Sequence, residues 1–206
     1  MTAAADRPPV RILTVCTGNI CRSPYAALSL QHRLDLTRPG AFEVSSAGTH
    51  ALVGQPVDPG SVALLAEHGV SAGGFRAAML TEITVSAHDI VLVMTSQHRA
   101  HVIEEAPSAF RRVFTIKEFA HRLDVLSSSR SWPVLLATAG AEPGVRGRWR
   151  ALPRILAVEG ASIRRRERDQ SVIDPYKRSE RTFRKMAAEL DAAIDHIVGW
   201  ESRFAE

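Results

Sequence analysis

A short apolar run near the start of the chain leads into a loop with two cysteines and then into a Ser-Pro step. Residues 10–15, V-R-I-L-T-V, are mostly β-branched or aliphatic and predict a strand. Because Ser caps helices and Pro suits the first helical position, Ser23 and Pro24 predict a helix start, with the helix continuing over Tyr25–Leu36. The unit is strand, loop, helix, as in α/β folds.

The same alternation continues along the chain. Further strands are predicted at Phe42–Ser46, Ile90–Met94 and Arg112–Ile116, and helices at Val57–His68, at Gln97–Glu105 and over the apolar stripe Phe183–Ile197. Strands that alternate with helices form parallel sheets covered on both faces. The sequence therefore predicts a three-layer α/β/α fold with a central four-stranded parallel sheet and the cysteine loop between strand 1 and helix 1.

The length of 206 residues predicts a single domain over residues 10–206, after a flexible N-terminus at residues 1–9. An Arg-rich insertion is predicted at about 121–172, where ten arginines occur without a lysine. No apolar run approaches the roughly 18 to 20 residues of a membrane span, and the start lacks the hydrophobic core of a signal peptide. We therefore expect a cytoplasmic protein without membrane insertion, and the sequence leaves its oligomeric state open.

Charge and histidine patterns argue against nucleic-acid and metal sites. The net charge of +4 favours acidic partners only weakly, and the run Arg164–Arg168 is typical of a solvated surface, so no nucleic-acid partner is predicted. His98 and His101 have helical spacing but no accompanying carboxylate motif, so we expect a surface pair rather than a metal site. No metal or cofactor is predicted.

The loop Cys16–Ser23 carries the chemistry. A loop wrapped around a helix N-terminus directs backbone N–H groups inward, which makes a cradle for a phosphate and favours a thiolate at Cys16. Arg22, six positions later, has a planar fork that can bind two phosphoryl oxygens. Gly18 is expected to allow unusual backbone angles in the loop. For Cys21 two interpretations stay open: a core residue, or a disulfide partner that protects Cys16 from overoxidation.

The segment V-C-T-G-N-I-C-R-S-P resembles the signature of the low-molecular-weight protein tyrosine phosphatases. The resemblance continues through Ser45–Thr49, Val57–Pro59 and Asp89–Met94, and ends with Asp174–Tyr176. It implies that Cys16 is the nucleophile of a phosphocysteine mechanism and that Arg22 binds the phosphate. The other expected phosphate-binding and substrate-binding residues are Thr17, Gly18, Asn19, Ile20, Cys21, Ser23, Leu52 and Tyr176.

The resemblance also implies a general acid. Asp174 matches the family residue that protonates the leaving phenolate and then activates water, and Tyr176 would form an aromatic wall beside the substrate. The stretches Ala47–Gly54 and Asp174–Phe183 resemble the bacterial branch associated with exopolysaccharide, which makes Leu52 an apolar contact at the pocket mouth. In that branch the substrate is the tyrosine-rich tail of an autophosphorylating kinase. The implied partner is therefore a phosphotyrosine protein.

The chain departs from the family at two positions. Family members commonly carry His and Arg where this chain has Phe75 and Ala78. We therefore expect the network that braces Asn19 and Ser46 to be built differently here.

Three alternative functions remain open at this point. An arsenate reductase of related fold usually needs further cysteines late in the chain, and none follows Cys21. A protein arginine phosphatase typically has Thr at the position of Ile20, whose larger apolar side chain suits an aromatic ring. A catalytically silent phosphotyrosine-binding module would not need both Cys16 and Asp174.

Overall fold

The computed structural model describes residues 8–159 and 170–204. In these residues the strands form one parallel sheet in the order β2-β1-β3-β4, with Cys16 opposite Gly48 in the register of β1 and β2. The strands are β1 (Val10–Cys16), β2 (Phe42–Gly48), β3 (Ile90–Val93) and β4 (Val113–Thr115). The predicted four-stranded parallel sheet is confirmed.

Helices cover both faces of this sheet. They are α1 (Arg22–Thr37), α2 (Pro59–Glu67), α3 (Glu82–Ser86), α4 (Ser96–Glu105), a 3₁₀ helix (Pro107–Arg112), α5 (Ile116–Ser129), α6 (Trp132–Thr138), α7 (Val145–Val158) and α8 (Glu180–Ser202). Because side chains alternate along a strand, Ile12 joins the core with α1, α5 and α8, while Leu13 joins the core with α3 and α4. The three-layer prediction is confirmed. No helix in the described ranges is long and apolar enough to cross a membrane.

The start of α1 differs from the sequence prediction. The helix begins at Arg22, the residue at its N-cap is Cys21, and no side chain caps it. Ser23 lies in the first turn, so its prediction as N-cap is wrong. Its hydroxyl group instead contacts the side chains of Cys16 and Asn19.

The predicted Arg-rich insertion contributes to the same core as the helices around it. Its predicted start at about 121 falls inside α5, and α7 buries Trp149 in edge-to-face contact with Phe42 (5.1 Å) and Trp200 (5.5 Å). Buried Glu201 accepts a hydrogen bond from Trp149 Nε1 at 2.8 Å. The division at 121–172 stays a prediction. The run Arg164–Arg168 and most of the predicted flexible N-terminus, residues 1–7, lie outside the described residues.

Candidate active site

The loop between β1 and α1 turns its carbonyl oxygens away from its centre. Four of these carbonyls accept N–H groups from the segment after β2, in the pairs Thr49 to Cys16 (2.9 Å), His50 to Thr17 (3.0 Å), Leu52 to Gly18 (3.0 Å) and Asp58 to Ile20 (2.8 Å). In a trans peptide the N–H points opposite to the C=O, so the next N–H groups, those of Thr17, Gly18, Asn19 and Cys21, point inward. None of the four donates to another described residue. The loop therefore presents the anion cradle that its sequence predicts.

Asn19 holds this loop from behind. Its fully buried side chain donates from Nδ2 to Ser23 Oγ (2.9 Å) and Ser46 Oγ (2.8 Å), and its Oδ1 accepts the Ala78 N–H (2.8 Å). Its backbone has a left-handed φ of +53°, whereas Gly18 has no positive φ, so the prediction of unusual angles at Gly18 is wrong. Asn tolerates this region better than most residues. A main-chain N–H at Ala78 thus completes the network.

Gly48 lets the end of β2 approach the loop. A Cβ at this position would overlap the Thr17 carbonyl oxygen and lie 3.0 Å from the Asn19 backbone nitrogen. Only glycine permits this contact between the sheet edge and the cradle.

Cys16 lies at the base of the cradle, with 2% of its surface exposed. Its Sγ is 3.0 Å from Ser23 Oγ. Ser23 Oγ accepts a hydrogen bond from Asn19, and its own proton can be donated either to the Ala47 carbonyl at 3.4 Å or to a thiolate at Cys16, which lies closer. The Ser23 hydroxyl can therefore stabilise negative charge on the Cys16 sulfur.

Asp174 reaches the cradle from the other end of the chain. Its Oδ2 is 2.8 Å from Arg22 Nη2, and its side chain is 54% exposed while that of Arg22 is 6% exposed. The Val172 N–H binds the Met94 carbonyl just after β3 (2.9 Å), which brings this segment to the sheet edge that carries Cys16. The cysteine and the arginine of one loop thus meet a carboxyl group that lies more than 150 residues further along the chain.

The next residues give the Asp174 segment a defined shape. Tyr176 N–H donates to Asp174 Oδ1 at 3.2 Å, and Lys177 adopts a left-handed φ of +56°. The Arg178 N–H then closes a turn onto the Pro175 carbonyl at 2.8 Å. This turn holds the carboxyl group of Asp174 at the cradle and places the Tyr176 ring beside it.

A cavity of about 250 Å³ opens above Cys16. Ile20, Leu52 and Tyr176 line it together with other loop residues, Arg22 and Asp174, and His50 lines it in addition. Leu52 and Tyr176 are 42% and 44% exposed, so they form the rim of the cavity rather than its floor. The cavity is polar at its base and apolar at its mouth, which suits a phosphate carried on a ring.

His98 was not recognised as part of the site from the sequence. The prediction of a surface residue is wrong, because His98 is 7% exposed and its Nε2 lies 2.9 Å from Thr17 Oγ1. Its Nδ1 lies 2.9 Å from Thr95 Oγ1. Burial, and then the nearby Arg22 cation, lower the His98 pKa to about 4, so the ring is neutral at pH 7. The sequence signal that could have placed His98 in the site is its position shortly after β3, because the carboxyl ends of β3 and β1 lie side by side.

Cys21 and Cys16 are both free thiols. Cys21 is 4% exposed, and burial, with added repulsion from Asp58 and Cys16, raises the pKa of its thiol well above the ordinary range. Cys21 therefore stays protonated and does not compete as nucleophile. Its proposed role as a disulfide partner stays a prediction. In the described ranges no group of three His, Cys, Asp or Glu side chains could hold a metal ion.

Comparison with known proteins agrees with this geometry. Residues 11–127 match the family model described as low molecular weight phosphotyrosine protein phosphatase. EpsP of Ralstonia nicotianae, a probable low molecular weight protein-tyrosine-phosphatase, is 41% identical over 107 residues, which cover 52% of this chain and 70% of EpsP. A protein-arginine-phosphatase from Geobacillus stearothermophilus is 39% identical over 116 residues, which cover 56% of this chain and 75% of that protein.

The fold is also that of solved phosphatase structures. The low molecular weight protein tyrosine phosphatase from T. tengcongensis superimposes with a TM-score of 0.64, at 27% identity over 92% of this chain and 98% of that one. The family model ends before Asp174, so the role of that residue as general acid stays a prediction, which its contact with Arg22 supports. With its signature loop, sheet order and matched residues, this chain belongs to the low-molecular-weight protein tyrosine phosphatase family.

Proposed function

We propose that this chain hydrolyses phosphotyrosine in proteins through a phosphocysteine intermediate at Cys16, with Asp174 as general acid. The observation that carries the proposal is the meeting of three groups at one cradle. Cys16 Sγ lies 3.0 Å from a hydroxyl that can donate to it, and Arg22 lies 2.8 Å from the Asp174 carboxylate. A nucleophile, a phosphate-binding cation and an acid are the parts that this chemistry needs.

Substrate binding exchanges one anion for another at Arg22. The Asp174 carboxylate is the anion that Arg22 contacts in the structure. A phosphoryl group that enters the cradle takes over this guanidinium fork and the inward N–H groups of the loop. Asp174 is then released from Arg22, takes up a proton from solvent in the open cavity, and faces the bridging oxygen of the ester.

The first chemical step transfers the phosphoryl group to sulfur. Cys16 Sγ attacks phosphorus, the bond from phosphorus to the phenolic oxygen breaks, and Asp174 gives its proton to that oxygen. Arg22 and the loop N–H groups stabilise the charge on the non-bridging oxygens. Tyrosine leaves the site, and phosphocysteine and the Asp174 carboxylate remain.

The second step restores the enzyme. Asp174 accepts a proton from water as the water oxygen attacks phosphorus, the bond between phosphorus and sulfur breaks, and inorganic phosphate is released. Asp174 then returns this proton to solvent and contacts Arg22 again as a carboxylate. The Ser23 hydroxyl donates to the departing Cys16 sulfur. Cys16 and Asp174 therefore act in both steps.

The apolar mouth of the cavity supports an aromatic substrate. Ile20 and Leu52 are large aliphatic side chains, and Tyr176 offers a ring for stacking. The resemblance of Ala47–Gly54 and Asp174–Phe183 to the exopolysaccharide-associated branch supports an autophosphorylating tyrosine kinase as the physiological partner.

One purified sample can test this proposal against its alternatives. Reduced protein, freed of metal with a chelator, is assayed on a phosphotyrosine peptide, a phosphoarginine peptide and arsenate, with Cys16→Ser as control. We expect turnover of the phosphotyrosine peptide, inhibition by vanadate and no activity in the control variant. A preference for phosphoarginine would assign the arginine phosphatase activity of the Geobacillus relative, and vanadate binding without turnover of any substrate would identify a binding module.

A further inference from the structure

A second cavity lies at the amino ends of the central strands, whereas Cys16 lies at the carboxyl end of β1. Its volume is about 400 Å³, and its lining includes Asp89, Arg111, Arg112, Arg146 and Arg150. Asp89 directly precedes β3, and its N–H donates to the Arg11 carbonyl at the start of β1 (2.9 Å). Five residues of strand at about 3.3 Å each place this cavity roughly 17 Å from Cys16. A ligand there would not contact the candidate active site.

The charges in this cavity are unbalanced. Asp89 is the carboxylate among its described lining residues, against four guanidinium groups, which leaves a net charge of +3. Asp89 Oδ1 lies 3.4 Å from Arg150 Nε and 3.7 Å from Arg146 Nη2, while its Oδ2 accepts the Arg11 N–H. One carboxylate, with 9% of its side chain exposed, is thus shared between two arginines.

The other two arginines have no partner of this kind. Neither Arg111 nor Arg112 forms an ion pair within residues 8–159 or 170–204. The Nε atoms of Arg112 and Arg146 are buried without a hydrogen-bond acceptor in the same ranges. Buried donors of charged groups are costly to leave unpaired, so the cavity is suited to an anion that supplies several acceptors.

The cavity is also a joint product of two parts of the chain. Asp89, Arg111 and Arg112 lie within residues 11–127, which match the family model, whereas Arg146 and Arg150 lie on α7, beyond that match. His88, which also lines the cavity, has both ring nitrogens engaged by Thr84 and Ser45, and burial lowers its pKa. It adds no charge at pH 7, so the arginines define the ligand class.

We propose that this arginine cavity, defined by Arg111, Arg112, Arg146 and Arg150 around Asp89, binds a small polyanion with two or more phosphate groups. Guanidinium forks match phosphate oxygens in pairs, and a net charge of +3 calls for more than one negative charge. A volume of about 400 Å³ lies within the range of small-molecule sites and leaves room for more than a single phosphate.

Titration calorimetry with pyrophosphate tests this proposal, with vanadate present to occupy the cradle at Cys16. The test variant is the double substitution Arg111→Gln and Arg150→Gln. Its matched control is Arg130→Gln with Arg154→Gln, which removes the same charge from exposed positions at a separate groove. We expect the control to bind pyrophosphate like the unchanged protein and the test variant to bind at least about tenfold more weakly.

Two further measurements complete the experiment. A parallel titration with ATP distinguishes two kinds of polyphosphate ligand. Tighter binding of ATP than of pyrophosphate would identify a nucleoside polyphosphate, and weaker or equal binding of ATP would identify an inorganic polyphosphate. Hydrolysis of an aryl phosphate should be the same in both double variants, which verifies that they are folded. Equal pyrophosphate affinity in both variants, or no binding by the unchanged protein once vanadate occupies the cradle, would overturn the proposal.

Discussion

Replacement of Asn19 by alanine removes the brace behind the phosphate cradle. The side chain is fully buried and makes three hydrogen bonds, to Ser23, Ser46 and the Ala78 N–H. The variant Asn19→Ala deletes all three and also places an alanine at a φ of +53°. The smaller change Ser46→Ala deletes one of the three bonds and leaves the loop backbone unaltered.

The structure sets the expected size of both effects. A net contribution of about 0.5–1.5 kcal/mol per hydrogen bond gives a loss of about 2–4 kcal/mol for the three bonds. The left-handed backbone adds about 1–2 kcal/mol for alanine, part of which Asn also bears. We therefore expect Asn19→Ala to lower the free energy of unfolding by about 3–5 kcal/mol, and Ser46→Ala by about 1 kcal/mol.

Urea denaturation of both single variants and of the double variant measures these values. Because Asn19→Ala already removes the bond to Ser46, the double variant should be less destabilised than the sum of the single variants, by about 1 kcal/mol. Under conditions in which the variant is folded, kcat/KM on an aryl phosphate should fall about 10²-fold as the loop N–H groups lose their alignment. Strict additivity, or a loss of stability below about 1 kcal/mol for Asn19→Ala, would refute this account of the brace.

Three other predictions follow from the same contacts. Asp174→Asn should slow hydrolysis of phenyl phosphate by about 10²–10⁴ and leave vanadate binding intact, and unchanged rates on this poor leaving group would remove Asp174 from the mechanism. Gly48→Ala should destabilise the fold by about 1–3 kcal/mol, because the added Cβ overlaps the Thr17 carbonyl. As its control, Gly199→Ala on α8 should be neutral or stabilising by up to about 1 kcal/mol, because a Cβ there meets no atom within 4 Å. The His98 pKa is about 4 in the folded chain against 6.5 in the unfolded chain, so the neutral ring contributes stability above pH 6.5 that is lost as pH falls toward 4. From pH 7 to 4.5 the free energy of unfolding, measured with urea, should fall by about 2 kcal/mol more in the unchanged protein than in His98→Gln, and an equal fall would contradict a buried neutral ring.

The alternation of strands and helices was readable from local pattern alone. Apolar runs such as residues 10–15 and Ile90–Val93 are short and continuous because both faces of a parallel sheet are buried. Element ends were less accurate. β2 continues to Gly48 because it pairs with β1 residue by residue, a long-range contact that no local window contains.

The chemistry of the candidate site divides in the same way. Cys16, Arg22 and the loop between them are contiguous, so one stretch of sequence determines the cradle. That Asp174 supplies an acid to this cradle was inferred from the resemblance to the family. The helix cap at Ser23 was predicted from local preference, but tertiary contacts with Cys16 and Asn19 engage its hydroxyl group. Local preference is a free energy of about 1 kcal/mol, and a buried network of several bonds exceeds it.

The sequence by itself determined the parallel α/β fold and the loop that carries Cys16 and Arg22, because each depends on residues that are neighbours along the chain. Only the tertiary structure showed that His98 contacts Thr17, that the Ala78 N–H completes the Asn19 brace, and that α7 adds Arg146 and Arg150 to the cavity beside Asp89. These contacts join residues about 60 to 80 positions apart. Chain folding brings such residues together through packing of the whole core, which sequence spacing does not encode.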